Sequence, residues 1–423
     1  MKFIHCSDIH LGKTFNDSRE RYKDYFTALS AVINLTLEEK ADFLLIAGDL
    51  FHEGSIAPSI MSDAMDALQP LKDKGIPIIA IEGNHDMFRR RRDESWLHFL
   101  SRQEYIKLLR PQIDPQAGKI EFPPYDAENA VGGWINQNDH TIYGIGYYGA
   151  ITGRMLELTL ESLPGRADIG IFHGGVWDNN IITIGRVTTE EIMPLKERFG
   201  YVALGHGHRP YQVENFAFNP GALEIVNREE AGAKGSENGT ACLVEIKGKE
   251  VITQTLKIPR RKFIDLKIDI DDSQTTDEAV IKIKDAFIKE AANLSNGCRP
   301  VLFADIRGRT VFDAFEIDIK QIQDEADRIL NPITTTISNQ ASKFLISAQS
   351  GSGKDLDTLF RETILDLVKT ENIGRQDPEA VLNLIFELKK SVIDDKETDP
   401  GQLMDLIHGR MDSILGRKKN LNE

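Results

Sequence analysis

An α/β architecture is what the first half of this sequence predicts, and three observations predict it. Short apolar runs alternate with amphipathic stretches of helical spacing. Some of those runs, such as Phe43-Leu44-Leu45-Ile46, are apolar throughout, as expected of strands covered on both faces. Clusters of Gly, Asp, Asn and His follow the runs directly. That is where open parallel sheets bind ligands, beyond the carboxyl ends of the strands.

Taken in order, Phe3–Cys6 reads as the opening strand. A helix is expected from Tyr22 to Leu37, where Tyr22, Tyr25, Phe26, Leu29, Val32 and Ile33 share one face. Phe43–Ile46 is the second strand, Ile60–Leu71 the second helix and Ile76–Ile81 the third strand. Further strands are expected at Thr141–Ile145, Ile169–Phe172, Tyr201–Leu204 and Ala241–Ile246. The pattern changes near residue 258. Phe263–Ile270 alternates with period 2, so it should be half buried. A helix near Asp277–Leu294, a strand at Val301–Ile306, a helix near Phe315–Leu330 and a strand at Ile333–Ile337 then complete a small α/β set. The expected domains are 1–257, 258–348 and 349–423. The last opens on a flexible linker, Gln349-Ser350-Gly351-Ser352-Gly353, and reads as helical beyond it. Leu356, Leu359, Phe360, Ile364, Leu367 and Val368 form one stripe. Asp377-Pro378 and Asp399-Pro400 each open a helix, with Asp as N-cap and Pro at the first turn.

The 423 residues suit two to four domains at roughly 100–200 residues each. With 41% apolar and 28% charged residues, wholesale disorder is excluded. The formal charge of −15 is unlike that of a free-standing, sequence-independent DNA binder. Work on nucleic acid would therefore require cations from metals, a local basic patch or a partner. The three cysteines, Cys6, Cys242 and Cys298, have no CxxC spacing. A disulfide scaffold or cysteine zinc site is not expected, and a reduced cytoplasm fits. The charged start does not resemble a signal peptide, and no apolar run is long enough to span a membrane.

The chemistry lies in five clusters: Asp8-Ile9-His10, Gly48-Asp49-Leu50-Phe51-His52, Gly83-Asn84-His85-Asp86, Phe172-His173-Gly174-Gly175 and Gly205-His206-Gly207-His208. Asp8 and His10, like His206 and His208, are two apart and can face the same side of an extended segment. Each cluster alone is a weak signal. Together they hold six of the ten histidines, all placed behind apolar runs. Asp8, His10, Asp49, Asn84, His173, His206 and His208 are too many ligands for one tetrahedral zinc. They suit two divalent ions that share a carboxylate. The mix of imidazole, carboxylate and amide oxygen favours Mn²⁺ or Fe²⁺ over Ca²⁺ or Mg²⁺.

This set resembles the calcineurin-like metallophosphoesterases. Residues 2–12, Ala47–His52 and Asn219-Pro220-Gly221-Ala222-Leu223-Glu224 are similar, more narrowly, to the SbcD-type break-repair nucleases and their YhaO-like exonuclease branch. The resemblance implies a four-layer α/β/β/α sandwich with a small α/β capping domain and a C-terminal helical segment. It implies that Asp8, His10, Asp49 and His208 hold one ion. Asp49, Asn84, His173 and His206 would hold the other, with Asp49 as the bridge. His85 would be the general acid and His52 would lie close to the scissile phosphate. It also implies Mn²⁺, DNA as substrate, a homodimer, and an SbcC-type, SMC-like coiled-coil ATPase docked through the C-terminal helices. The function expected is a metal-dependent DNA nuclease, an exonuclease on duplex ends and an endonuclease on single strands. The rivals are a phosphoesterase acting on phosphoproteins or cyclic nucleotides, and a non-catalytic scaffold.

Several residues allow two readings. Arg89, Arg90, Arg91 and Arg92 are either a DNA-phosphate clamp or a solvated helix start offset by Asp93 and Glu94. Lys257, Arg260, Arg261 and Lys262 read as an interdomain linker. Asp86 reads as support for a ligand loop, His5 as structural, and His98 and His140 as surface residues. Trp96, Leu97, Phe99 and Leu100 read as helix core. Ser350–Lys354 fails as a phosphate loop, because Ala348 and Asp355 replace the required residues. The C-terminal stripes either dock a partner or pack on each other.

Overall fold

The computed structural model describes residues 1–87, 94–114, 118–177, 184–231, 239–295 and 297–343, five positions between 361 and 368, and the helix Pro378–Asp394. Two sheets dominate it. The first has seven strands in the order Glu250–Lys257, Thr240–Lys247, Lys2–Cys6, Phe43–Ala47, Ile78–Ile81, Lys107–Leu109 and Val131–Gly132. The second has six, in the order Tyr211–Val213, Ala217–Asn219, Phe199–Gly205, Ala167–His173, His140–Gly146 and Trp134–Gln137. Lys2–Cys6, Phe43–Ala47 and Ile78–Ile81 run parallel, and so do His140–Gly146, Ala167–His173 and Phe199–Gly205.

The strand alternation builds four layers. In Phe43–Ala47, the side chains of Phe43, Leu45 and Ala47 pack against Ile142, Ile169, Ile171 and Tyr201 of the second sheet. Leu44 and Ile46 point the other way, onto Leu29, Val32, Ala64 and Leu68 of two helices. Phe172, Val202 and Leu204 of the second sheet meet Leu156, Ile192 and Leu195 on its outer side. The order is helices, sheet, sheet, helices. A fully apolar strand is thus a strand with a packed layer on each face.

Helix ends follow local chemistry. The first helix is Arg19–Glu38, earlier than the apolar stripe suggests, because the Ser18 side chain caps it by accepting from the Arg21 N–H. The second is Pro58–Asp73, with proline in the first turn. The third strand begins at Ile78 rather than Ile76. Pro77 has no N–H to donate, although its carbonyl accepts from Leu44.

A separate parallel sheet, Phe263–Asp269, Val301–Arg307 and Thr334–Asn339, carries the helices Thr276–Ala291 and Ile319–Leu330 on one face. Its other face sets Phe263, Val301 and Phe303 against Ile225 and Phe15. The helix expected from Phe315 is in fact two pieces. Asp313 caps a short turn at Ala314–Glu316, and Asp318 caps a new helix from Ile319. Phe315 is 92% exposed and belongs to no apolar stripe.

The chain divides into two compact units, Met1–Phe344 and Leu345–Glu423. In the second, Val368, Val381 and Leu384 are buried together beside Ile364, Ala380 and Ile385. The expected linker at 349–353, Leu356, Leu359, Phe360, Leu367, Asp377 and the helix expected at Asp399-Pro400 lie outside the described residues. No described helix is long and apolar enough to cross a membrane.

Candidate metal centre

The carboxyl ends of strands from both sheets converge on one point. The loops after Lys2–Cys6 and Phe43–Ala47 continue side by side. Asp8 N–H donates to the Gly48 carbonyl, Ile9 and His10 N–H to Asp49, and Leu11 N–H to Leu50. This pairing holds Asp8, His10 and Asp49 in left-handed backbone, with φ of 52°, 53° and 53°, and His206 is similar at 74°. Such conformations cost about 1–3 kcal/mol each in a non-glycine residue and cluster at functional sites.

The glycines of the motifs leave room for the candidate ligands. Gly48 has φ of 90°, which suits it to a sharp exit from the strand. A Cβ at Gly83 would strike the Asp49 carboxylate, and one at Gly48 or Gly205 would strike the His173 ring.

All seven expected ligands come together. Asp8, His10 and His208 present ligand atoms within 4.8 Å of one another, as do Asp8, Asp49 and His173. His10 Nε2 is 3.2 Å from His208 Nε2. Asp49 Oδ2 faces both His10 Nε2, at 3.9 Å, and His173 Nε2, at 3.4 Å, so one carboxylate reaches both groups. Asn84 Oδ1 lies 3.1 Å from His173 Nε2 and 2.9 Å from His206 Nδ1. The opposite nitrogens are already engaged. His173 Nδ1 donates to the Ala47 carbonyl at 2.7 Å, and His206 Nε2 to that of Ile184 at 3.0 Å. The ring edges facing Asn84 and Asp49 are the ones left for an ion.

His52 and His85 stand beside the Asp8–His10–His208 group. Their rings stack at 5.1 Å, and His85 lies 4.8 Å from His10. His85 Nδ1 donates to the His52 carbonyl at 2.6 Å, so Nε2 is the ring nitrogen not used in that bond. Asp86 is buried and accepts from Gly83, Phe51 and Leu50 N–H at 3.0, 2.9 and 3.3 Å. It stitches the third loop to the second.

The electrostatics fit cations. Burial pushes the Asp8 carboxyl up, opposed by His173 and His208. Burial would raise Asp49 too, but the His173, His10 and His85 imidazoles together outweigh it and hold Asp49 below the usual carboxylate range. Burial depresses His173, yet Asp49 lifts it to about 9. Burial also depresses His208, and its bond to Glu230 together with the Asp8 charge raises it to about 8. Two buried carboxylates are thus balanced by protons on neighbouring imidazoles, the charge that divalent ions would supply. Burial lowers His206 and His52 to about 4 and His10 well below its ordinary value, so these are neutral donors at pH 7. Burial, then the Asp49 charge, raises Asp86 to about 8. Nitrogen and oxygen donors without a thiolate suit two ions of intermediate hardness.

Residues 1–210 match the calcineurin-like phosphoesterase family. The chain carries a calcineurin-like metallophosphoesterase domain. It is similar over most of its length to proteins named DNA double-strand break repair protein Mre11. That of Archaeoglobus fulgidus is 25% identical over 405 residues, 92% of this chain and 84% of that protein. That of Saccharolobus solfataricus is 25% identical over 406 residues, 94% and 96% of the two chains. That of Methanocaldococcus jannaschii is 27% identical over 299 residues, 67% and 73% of the two chains.

Some residues around the phosphoesterase centre carry no sequence signal. Glu230 bonds His208 Nδ1 at 2.6 Å from a loop more than twenty residues away. Tyr147 and Trp177 put their rings 5.6 and 6.1 Å from His206. The arginines Arg89, Arg90, Arg91 and Arg92 lie outside the described residues. His5 is fully buried between the sheets, Arg261 is ion-paired to Asp24, and Lys257 and Arg260 are also engaged. His98 and His140 are half-buried rather than exposed, since His98 Nε2 bonds the Asn129 carbonyl and His140 lies 3.2 Å from Asp168. In the helix Trp96–Arg102, Leu97 and Leu100 are core residues, whereas Phe99 is exposed.

Proposed function

We propose that this phosphoesterase is a Mn²⁺-dependent DNA nuclease that trims duplex ends and cuts single strands during the repair of DNA breaks. The observation that carries the reading is the placement of Asp49 Oδ2 between His10 and His173, with Asp8 and His208 on one side and Asn84 and His206 on the other. Asp8, His10, Asp49 and His208 would hold one ion, and Asp49, Asn84, His173 and His206 the other. Bound there, divalent ions would supply the positive charge that offsets the phosphodiester and lowers the pKa of water. The chain's own part is to orient and to move protons. His85 has its Nδ1–H committed to the His52 carbonyl, so Nε2 is the atom that gives a proton to the leaving oxygen. His52, stacked on His85, lies where the substrate phosphate enters. Asp86 fixes the loop that carries Asn84 and His85.

DNA as substrate is supported by the similarity to proteins named for double-strand break repair across more than 90% of the chain. The net charge of −15 means that the cations that meet DNA come from metal ions, a local basic patch or a partner. We assign the partner's part to an SbcC-type, SMC-like coiled-coil ATPase docked on the C-terminal helices of a homodimer, in the reducing cytoplasm that three free cysteines suit.

The test uses purified protein and end-labelled linear duplex DNA with Mn²⁺, Mg²⁺ or EDTA, beside a His85→Ala control. Mn²⁺-dependent shortening that the variant loses is expected. Cleavage of a small chromogenic phosphodiester without shortening of DNA, even with the ATPase present, would point to another phosphoester substrate.

A further inference from the structure

The nitrogen of His208 that turns away from Asp8 is held by a carboxylate from another part of the chain. His208 Nδ1 donates to Glu230 Oε1 at 2.6 Å, leaving Nε2 3.8 Å from Asp8 Oδ1 and 3.2 Å from His10 Nε2. Glu230 is itself fixed. It is 6% exposed, its Oε2 accepts from Val226 N–H at 2.9 Å, its Oε1 accepts from Asn227 Nδ2 at 2.6 Å, and its N–H donates to Asn227 Oδ1 at 3.1 Å. Asn227 therefore caps the single turn Arg228–Glu230.

The start of the same turn reaches the three-stranded sheet. Arg228 Nη2 and Nε bond Asp265 Oδ1 at 2.6 and 3.1 Å, and Nη1 pairs with Asp305 at 2.9 Å. Its guanidinium also lies over the Phe303 ring at 5.0 Å. One turn of backbone thus links the imidazole of a ligand to two carboxylates of a different sheet. A hydrogen bond from a carboxylate to the far nitrogen of a ligand histidine sets its tautomer and ring angle and raises its basicity.

We propose that Glu230 is a positioning residue for the ion on the Asp8–His10–His208 side, and that the anchorage of Arg228 on Asp265 and Asp305 holds Glu230 in place. The inference rests on the metal-centre reading. It predicts that ion affinity on this side depends on residues of a sheet that supplies no ligand.

The experiment is a Mn²⁺ titration of the full chain, stripped with EDTA and dialysed, followed by calorimetry and by the electron paramagnetic resonance of free Mn²⁺. Circular dichroism checks the fold. Two sites are expected in the wild type. Glu230→Ala should weaken one of them about 10- to 100-fold and leave the other within about twofold. Glu230→Gln keeps an acceptor for His208 Nδ1 and should recover part of the loss. Arg228→Met should weaken the same site by about two- to thirtyfold, the range of indirect coupling. A wild type that binds no Mn²⁺ would sink the metal-centre reading itself. Two sites of unchanged affinity in a folded Glu230→Ala would overturn this inference and leave that reading standing. Loss in Glu230→Ala without any in Arg228→Met would overturn the anchorage. Should Glu230→Ala not fold, Glu230→Gln and Arg228→Met decide the matter in the same way.

Discussion

Replacing His5 by glutamine should make the protein less sensitive to acid. His5 is fully buried between the two sheets. Its Nε2 faces the Leu204 carbonyl at 3.0 Å, and a carbonyl can only accept, so Nε2 carries the proton. Nδ1, 2.9 Å from the Tyr201 hydroxyl, then accepts. A second proton on Nδ1 would reverse that bond and leave a charge in an apolar layer. Burial accordingly lowers His5 from 6.5 to about 3, against a small opposing effect of the Leu204 carbonyl. The folded value lies below the unfolded one, so the unfolded chain binds the extra proton between those pH values. Stability is full above pH 6.5 and falls as pH drops, by about 1.4 kcal/mol per unit and roughly 5 kcal/mol in all by pH 3. The amide of the His5→Gln variant keeps a donor and an acceptor but cannot titrate. Urea unfolding of EDTA-treated wild type and His5→Gln between pH 7.5 and 4.5 measures the effect. The wild-type curve should fall more steeply below pH 6 by about 1.4 kcal/mol per unit. Parallel curves would refute the reasoning, because the other titrating groups are common to both proteins.

Three further outcomes follow from the packing. Gly83→Ala places a methyl against the Asp49 carboxylate, so phosphodiesterase activity should fall at least about 100-fold while urea stability falls by only about 1–3 kcal/mol; full activity would mean that the loop yields freely. Arg21 is fully buried and bonds Glu224, Asp24 and the Ile225 carbonyl at 2.5, 2.8 and 3.0 Å, so Arg21→Met should cost about 3–5 kcal/mol in urea unfolding, and adding Glu224→Gln should recover most of it. Mn²⁺ at 100 times its Kd should stabilise the native state by about 2.7 kcal/mol per site, reversed by EDTA, and a thermal midpoint indifferent to Mn²⁺ would count against two ion sites.

The site was legible because its residues break their local pattern. Asp8, Asp49 and His173 are charged or polar groups at the ends of apolar runs, where a core would otherwise exclude them, and each is at most 1% exposed. The sandwich was legible from Phe43–Ala47, whose unbroken apolar run requires two covered faces. Glu230 was not, because it sits in the polar stretch Asn227-Arg228-Glu229-Glu230, which reads as an ordinary solvated turn. Arg21 was missed for a related reason. It lies just before the helix expected from Tyr22, where a lone arginine reads as solvated, yet it fills the gap between Tyr25 and Phe263, its charge matched by Glu224. Partners set by tertiary contact leave no periodicity behind.

Backbone strain is hidden in the same way, and it bears on how the centre works. Asp8, His10, Asp49 and His206 are left-handed, although none is Gly or Asn. At about 1–3 kcal/mol each, the four together cost several kcal/mol. The chain holds them by over-determination. Asp8 N–H is paired to Gly48, His10 N–H to Asp49, His206 N–H to the Asp8 carboxylate at 3.1 Å, and His85 N–H to Asp49 Oδ1 at 2.8 Å. Asp49 therefore turns Oδ1 to a backbone donor and Oδ2 toward the imidazoles, while both oxygens of Asp8 share the His206 N–H. The packed strands beneath supply the stability that offsets the strain. The candidate ligand side chains are consequently held in place by the fold itself. Mutations in the loops should therefore reduce activity before they reduce folding, whereas mutations in the layer between the sheets should do both.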